Sequence, residues 1–525
     1  MRTKNLYTDA AIPAEVQTYL VEYEDLQQQI QSQHSASTSD NSNIDRQLTT
    51  TRDSRALAQV SDAVRELEAQ KQDVWRKIWA LDPELAAKQQ VTPIELATIQ
   101  TLIKTPNTAI LSFYTTNDDT HIFIITQNRE PQIHTCTGQG WQQLQLWLKE
   151  SWLDAYIKSK SDWLEQIPTI LPEVAQRLEL DTLVSKLDGI TELIVIPHLY
   201  LHQIPFAALP IFPSSAKADA EGRRSVGAEC LGDKFTIRYA PSCQILKYCD
   251  DRPASTHTQH GTIENADGTL PGAGFEGAHI ATLFKVADNY RLQGRKQATI
   301  DGFHALMKQP DRPITSLHFA NHAQSRLDNP LESALQLADG NITLDRLMIS
   351  RYLNLHEVFL SCCETHLGTT KITDDILTLA TGFLCAGARS VISTLWAVDD
   401  LATALFSIFY YHNRYDNHSR AKSLKMAQVR LRNLTGEEFK LNYRDNLGSH
   451  LAAYAKANKA DRKELTAQLK RREIDRVKFD RDEPRLTKAY NDALSLIESL
   501  DRHSQTDRPF AHPYYWAAFT CQGLD

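Results

Sequence analysis

Four short apolar runs, at 192–197, 314–320, 356–361 and 389–395, recur along the chain, with helix-patterned stretches between or after them, notably 374–386 and 401–414. Unbroken runs of Val, Ile, Leu and Phe mark strands buried on both faces, and their alternation with helices predicts an α/β fold built on a mainly parallel sheet. In such sheets ligands and reactive groups gather beyond the carboxyl ends of the strands. Two of the runs deliver a reactive side chain at that end. Ser316-Leu317-His318-Phe319-Ala320-Asn321-His322 ends on an imidazole, and Val358-Phe359-Leu360-Ser361-Cys362-Cys363-Glu364-Thr365 carries a thiol into a polar turn. Together they suggest a Cys/His dyad on neighbouring strands of one sheet.

A thiol attacks as the thiolate, and an ordinary pKa of about 8.5 leaves little of it at neutral pH, so a nearby base is needed. His322 is the best-placed one. Small and polar residues at 323–325 and 364–368 suit backbone amides that hold an oxyanion. On spacing alone, a buried structural cysteine and a core histidine remain the commoner reading of these positions.

A chain of 525 residues exceeds one ordinary core and implies two to four domains, or one enlarged domain with appendages. Its net charge of −8 argues against general phosphate-backbone binding, which needs clustered positive charge. No nucleic-acid partner is expected. The apolar stretches are broken well before the roughly 18 residues of a membrane span, and the start of the chain lacks a signal-peptide pattern. A cytoplasmic location without a membrane role is therefore expected. The eight cysteines form no CxxC pair, as for reduced thiols.

Residues 1–104 read as a helical N-terminal region, with amphipathic stretches at 14–33 and 57–81 around a Ser/Thr/Asn-rich linker near 34–52. From 108 the pattern changes to a β-hairpin, opening a second region, 105–525. Segments 213–227 and 251–268 read as surface loops, and the charge-dense stretch 456–488 as a solvated helical insertion, secondarily a docking surface. Gly272-Ala273-Gly274-Phe275-Glu276-Gly277 satisfies GxGxxG but follows a turn-like stretch rather than a strand, so no nucleotide cofactor is expected. His318-x-x-x-His322 and His198-x-x-x-His202 have a metal-ligand spacing only on a helix, whereas these segments read as strand and turn. No metal is expected.

Six blocks carry a resemblance: the series from Ile196 to Leu209, LHFANHA, PLESALQLADG from Pro330, LSCCETHLG from Leu360, GFLCAGARSVISTLWAVDD from Gly382 and HPYYWAAFTCQG from His512. In that order they resemble a CHAT domain, a family similar to caspases and separases and often attached to tetratricopeptide repeats. The resemblance implies a caspase-like α/β domain acting as a cysteine endopeptidase on protein substrates. Cys363 matches the family's nucleophile and His322 its general base, while His318 and Cys362 beside them are assigned to packing. The backbone N–H groups of Cys363 and Ala323 are the implied oxyanion donors. Ala323 stands where the family often has Gly. Leu395-Trp396-Ala397-Val398-Asp399-Asp400 resembles a separase strand ending in an acid, which implies Asp400, or second Asp399, as a carboxylate attracting a basic P1 side chain. An N-cap before Leu401 is the other reading of this pair. The resemblance also allows for an activating protein partner. A signalling scaffold on an inactive peptidase fold is the alternative.

Overall fold

The computed structural model describes residues 94–211, 229–253, 257–309, 312–326, 329–362 and 378–525, with helical stretches within 15–29 and 66–81. The expected linker near 34–52 and the loop 213–227 lie outside them. The chain divides into two compact units, Met1–Ile94 and Glu95–Asp525. In the first, the apolar stripe Val16, Leu20, Tyr23 and Leu26 shares one core with Val74 and Ile78. Ammonium groups close its rim, Lys71 over Tyr23 and Lys77 over Tyr19.

The second unit is organised by an eleven-stranded sheet in the order β3-β2-β1-β4-β5-β14-β13-β12-β8-β6-β7. Its strands are β1 (Thr108–Thr115), β2 (Thr120–Thr126), β3 (Gln132–Cys136), β4 (Glu192–Ile196), β5 (Thr236–Tyr239), β6 (His260–Glu264), β7 (Arg291–Gln293), β8 (Ser316–Ala320), β12 (Glu357–Leu360), β13 (Ser390–Thr394) and β14 (Phe519–Gly523). A separate three-stranded sheet holds β9 (Ala323–Gln324), β10 (Ala334–Gln336) and β11 (Asn341–Thr343). β1 and β2 form the hairpin predicted from their β-branched runs. β7, β6, β8, β12 and β13 run parallel to one another, as do β14, β5, β4 and β1, and the two blocks meet in the antiparallel pair β13 and β14. All residues of β8, β12 and β13 are buried, the mark of a strand covered on both sides. The architecture is a mainly parallel, helix-flanked α/β sheet.

Among the flanking helices are α1 (Lys160–Arg177), α2 (Pro271–Phe284), α3 (Leu379–Ala386), α4 (Asp400–Tyr415), α5 (Arg420–Asn433), α6 (Asp445–Lys470) and α7 (Arg476–Gln505). α2 packs on β6, β8 and α4, and α5 on β14 and β5. Among the described residues no helix is long and apolar enough to cross a membrane.

One expectation needs correction. Segment 251–268 is not wholly a loop, because His260–Glu264 forms β6 in the interior of the sheet. Its polar residues concealed it: Thr262 and Glu264 are buried, but Thr262 donates to the Glu264 carboxylate at 2.6 Å and Arg291 grips that carboxylate at 2.8 and 2.9 Å. The charge is compensated from β7, so the strand need not be apolar. The stretch 456–488 is mostly helical and mostly exposed, as expected, with Leu465 and Leu486 its buried apolar residues. On either side of it Leu447, Leu451 and Ala455 of α6 and Ala489, Ala493 and Leu500 of α7 are buried, and the two helices pack along one another.

Candidate functional site

The carboxyl ends of β6, β8 and β12 lie side by side. Ala320 pairs with Glu264, Phe319 with Leu360, and the Ser361 amide continues the ladder by donating to the Phe319 carbonyl at 2.9 Å. His322 follows β8 by two residues. Cys362 is buried beside it, its Sγ 3.2 Å from the Phe319 carbonyl, and its own carbonyl accepts from Thr394 Oγ1 at 2.8 Å. The structure thus brings the strands that carry the two candidates into adjacent, parallel register. Cys363 itself lies outside the described residues, as do Glu364 and His366.

His322 Nε2 is 2.8 Å from Thr269 Oγ1 and 3.6 Å from Asp267 Oδ2, both on the turn between β6 and α2. Burial pushes the imidazole below its ordinary value, opposed by Asp267 and reinforced by Lys488. The ring borders a cleft of about 460 Å³ lined by Asp267, Thr269 and Ala323 on one side and by Arg485 and Lys488 of α7 on the other. By contrast His318 is a core residue. It packs against Phe359 and Tyr411, and burial pushes it down to about 3, so it is neutral at physiological pH.

Ala323 pairs with Leu335 in the small sheet. Because the neighbouring Gln336 amide donates to the His322 carbonyl, the Ala323 pair is a non-hydrogen-bonded one, and its N–H points away from β10. Asp399 caps α4, accepting from the Leu401 and Ala402 amides at 3.0 Å each. The Asp400 carboxylate accepts from the Gly272 amide at 3.0 Å, and burial pushes it up to about 6. A Cβ on Gly272 would fall 2.8 Å from that carboxylate, and one on Gly277 2.0 Å from the Glu264 carboxyl carbon. Two glycines of the GxGxxG run therefore permit close packing of α2 against acidic side chains, the reverse of a phosphate cradle. Among the described residues no group of three or more ligating side chains stands ready for a metal.

The residues that sequence reasoning missed sit in the turn 265–270. Asn321, buried beside His322, accepts from the Ala266 amide at 2.5 Å and donates to the Ile263 carbonyl at 2.9 Å, tying the two strand ends together. Asp267 and Thr269 reach His322 from the same turn. Its run Asn265-Ala266-Asp267-Gly268-Thr269 is legible as a turn, but only the recognition of β6 before it would have placed that turn at the site.

The CHAT domain family model matches residues 161–524. The chain belongs to the CHAT domain family. It carries, accordingly, a peptidase-fold domain. No curated protein matches it. Among solved structures, this CHAT domain protein is similar to the Arg-specific cysteine proteinase gingipain R, at 12% identity and a TM-score of 0.33, over 51% of this chain and 63% of that one. It is also similar to the Saccharomyces cerevisiae separase-securin complex, at 10% identity and a TM-score of 0.41, over 66% of this chain and 30% of that one. The CHAT chain thus spans less than two thirds of either neighbour, and at these scores the likeness carries nothing about activity.

Proposed function

We propose that this CHAT protein is a cysteine endopeptidase in which His322 and Cys363 form the catalytic dyad. The observation that carries this reading is the adjacency of the β8 and β12 ends. The ladder contact from Ser361 to Phe319 sets the segment entering Cys363 beside the segment leaving for His322. His322 takes the Cys363 proton, and the thiolate attacks the scissile carbonyl of a protein substrate. Backbone N–H groups of Ala323 and Cys363 hold the oxyanion, His322 returns the proton to the leaving amine, and water releases the acyl-enzyme. The outward-facing Ala323 amide supports the oxyanion role. Asp400 as the P1-binding carboxylate, with Asp399 as the second candidate, is the narrower part of the proposal. Asp399 has one oxygen engaged by its helix cap and Asp400 one by the Gly272 amide, so the second oxygen of each is what a basic side chain would meet. α7 lines the cleft, and this supports activation by a protein partner that acts on this wall.

The test is cleavage of a denatured proteome and a mixed peptide library by the wild type, Cys363→Ala and His322→Ala, with new termini read by mass spectrometry. Cuts lost in both variants, by at least about 10³-fold in rate, are expected of a nucleophile and its base. Arg or Lys before the cut would support Asp400, and any other residue would remove it. Cuts that persist in Cys363→Ala would end the dyad proposal. A wild type that binds partners but cuts nothing would favour the scaffold.

A further inference from the structure

The turn 265–270 is held from both sides. On one side it offers Thr269 and Asp267 to His322. On the other, Arg485 Nη1 of α7 donates to the Asp267 carbonyl at 2.6 Å, and Tyr454 Oη of α6 donates to the Gly268 carbonyl at 2.6 Å. His450 Nε2 of α6 is 3.1 Å from the Pro271 carbonyl. Gly268 adopts φ +76, and a Cβ there would lie 2.7 Å from Arg485 Nη1. Glycine is required twice, for the left-handed backbone and for the approach of the guanidinium.

The proton count at Thr269 fixes the direction of the chain of hydrogen bonds. A hydroxyl has one proton, and Thr269 Oγ1 gives it to Asp267 Oδ2 at 2.7 Å. The contact at 2.8 Å with His322 must then be donated by the ring, from Nε2–H. Nδ1 is left with its lone pair as the basic nitrogen.

We infer that Asp267 acts through Thr269 to hold His322 with its proton on Nε2 and Nδ1 as the base, and that the α6–α7 hairpin is the clamp that keeps this relay in place. Asp267, Thr269, Tyr454 and Arg485 are positioning residues. The inference builds on the role proposed for His322, but it concerns the ring's protonation and is read without substrate. The charged groups facing the ring are Asp267 from the turn and Arg485, Lys488 and Asp492 from α7.

Exchange of the histidine C2 hydrogen for deuterium, followed by mass spectrometry across a pH series on the full chain, reads the protonation midpoint of His322. Thr269→Val and Asp267→Asn both remove support for the imidazolium. The protonated fraction at a fixed pH is expected to fall by roughly threefold to tenfold in each, while Thr269→Ser keeps the wild-type midpoint. Tyr454→Phe changes no charge near the ring, so a fall in the same direction is expected only if the clamp holds the relay. Circular dichroism confirms that each variant is folded, and a variant that is not is replaced by Asp267→Ser or Tyr454→Leu. An unchanged midpoint in Thr269→Val and Asp267→Asn overturns the relay, and an unchanged midpoint in Tyr454→Phe overturns the clamp. Loss of the midpoint shift and absence of peptide cleavage are separate results, so failure here is distinguishable from failure of the peptidase reading.

Discussion

Two buried glutamates stand at opposite ends of β12 and are treated in opposite ways. Glu357, the first residue of the strand, receives Tyr410 Oη at 2.8 Å, Arg414 at 3.0 Å and Arg420 at 3.1 Å. Burial alone would raise its pKa, but the two guanidinium groups prevail and hold it down to about 2. Glu276, on α2 beside the other end, meets the Ser361 hydroxyl at 2.8 and 3.0 Å and has neutral His318 3.6 Å away. Among the described residues no guanidinium or ammonium group stands against it, and burial pushes it up to about 8. The amino end of the strand is thus fixed by ionised groups with several partners each. The carboxyl end, where the candidate site lies, keeps its deep polar groups neutral and held by hydroxyls.

The largest effect should come from breaking the ionised end. Glu357→Ala leaves Arg414 and Arg420 partly buried without their carboxylate, and a loss of about 3–5 kcal/mol is expected in denaturant unfolding. A loss below about 1 kcal/mol would show that the arginines find water instead. In the wild type the folded carboxyl is more acidic than the unfolded one. Its contribution is therefore complete above about 4.5 and disappears as pH falls toward about 2.

The neutral end should respond with the opposite sign. Glu276 holds its proton more tightly when folded, so its contribution is complete below about 4.5 and is lost as pH rises through about 8. Glu276→Gln cannot ionise and should flatten that decline. Unfolding free energies of the two proteins should converge near pH 4 and separate in the variant's favour by pH 8, by several kcal/mol at about 1.4 kcal/mol per pH unit. Parallel curves would mean that Glu276 is ionised across the range and that the contrast between the two ends of β12 is false.

The same contrast explains what could be read from sequence. β4, β8, β12 and β13 are legible because each holds or adjoins a short apolar run that is buried. Glu357 did not hide β12, since the apolar run follows it. β6 is hidden because Thr262 and Glu264 are polar and buried, and the charge of Glu264 is met by Arg291 of β7, a long-range fact that no local pattern carries. With β6 missing, the turn 265–270 looked like surface, and the partners of His322 were invisible. The α6–α7 hairpin was obscured in the same way. Its charges are local and conspicuous, whereas the stripe that packs it beside the site is spread over two helices.

The glycines of α2 give the smallest and sharpest test, because two of them should differ in sign. Gly277 faces Glu264, whose carboxylate is pinned by Thr262 and Arg291 and cannot withdraw from a Cβ 2.4 Å from either oxygen. Gly277→Ala should therefore cost about 1–3 kcal/mol as an overpacked core substitution. Gly274 meets only the His450 ring, at 3.7 Å, an ordinary contact. There the usual advantage of alanine over glycine inside a helix is unopposed, and Gly274→Ala should stabilise by about 0.5–1 kcal/mol. If both variants lost stability by the same amount, α2 would need glycine for flexibility rather than for close approach to the acidic strand end. Opposite signs would establish that the run GAGFEG is spaced by what lies beneath each residue of the helix.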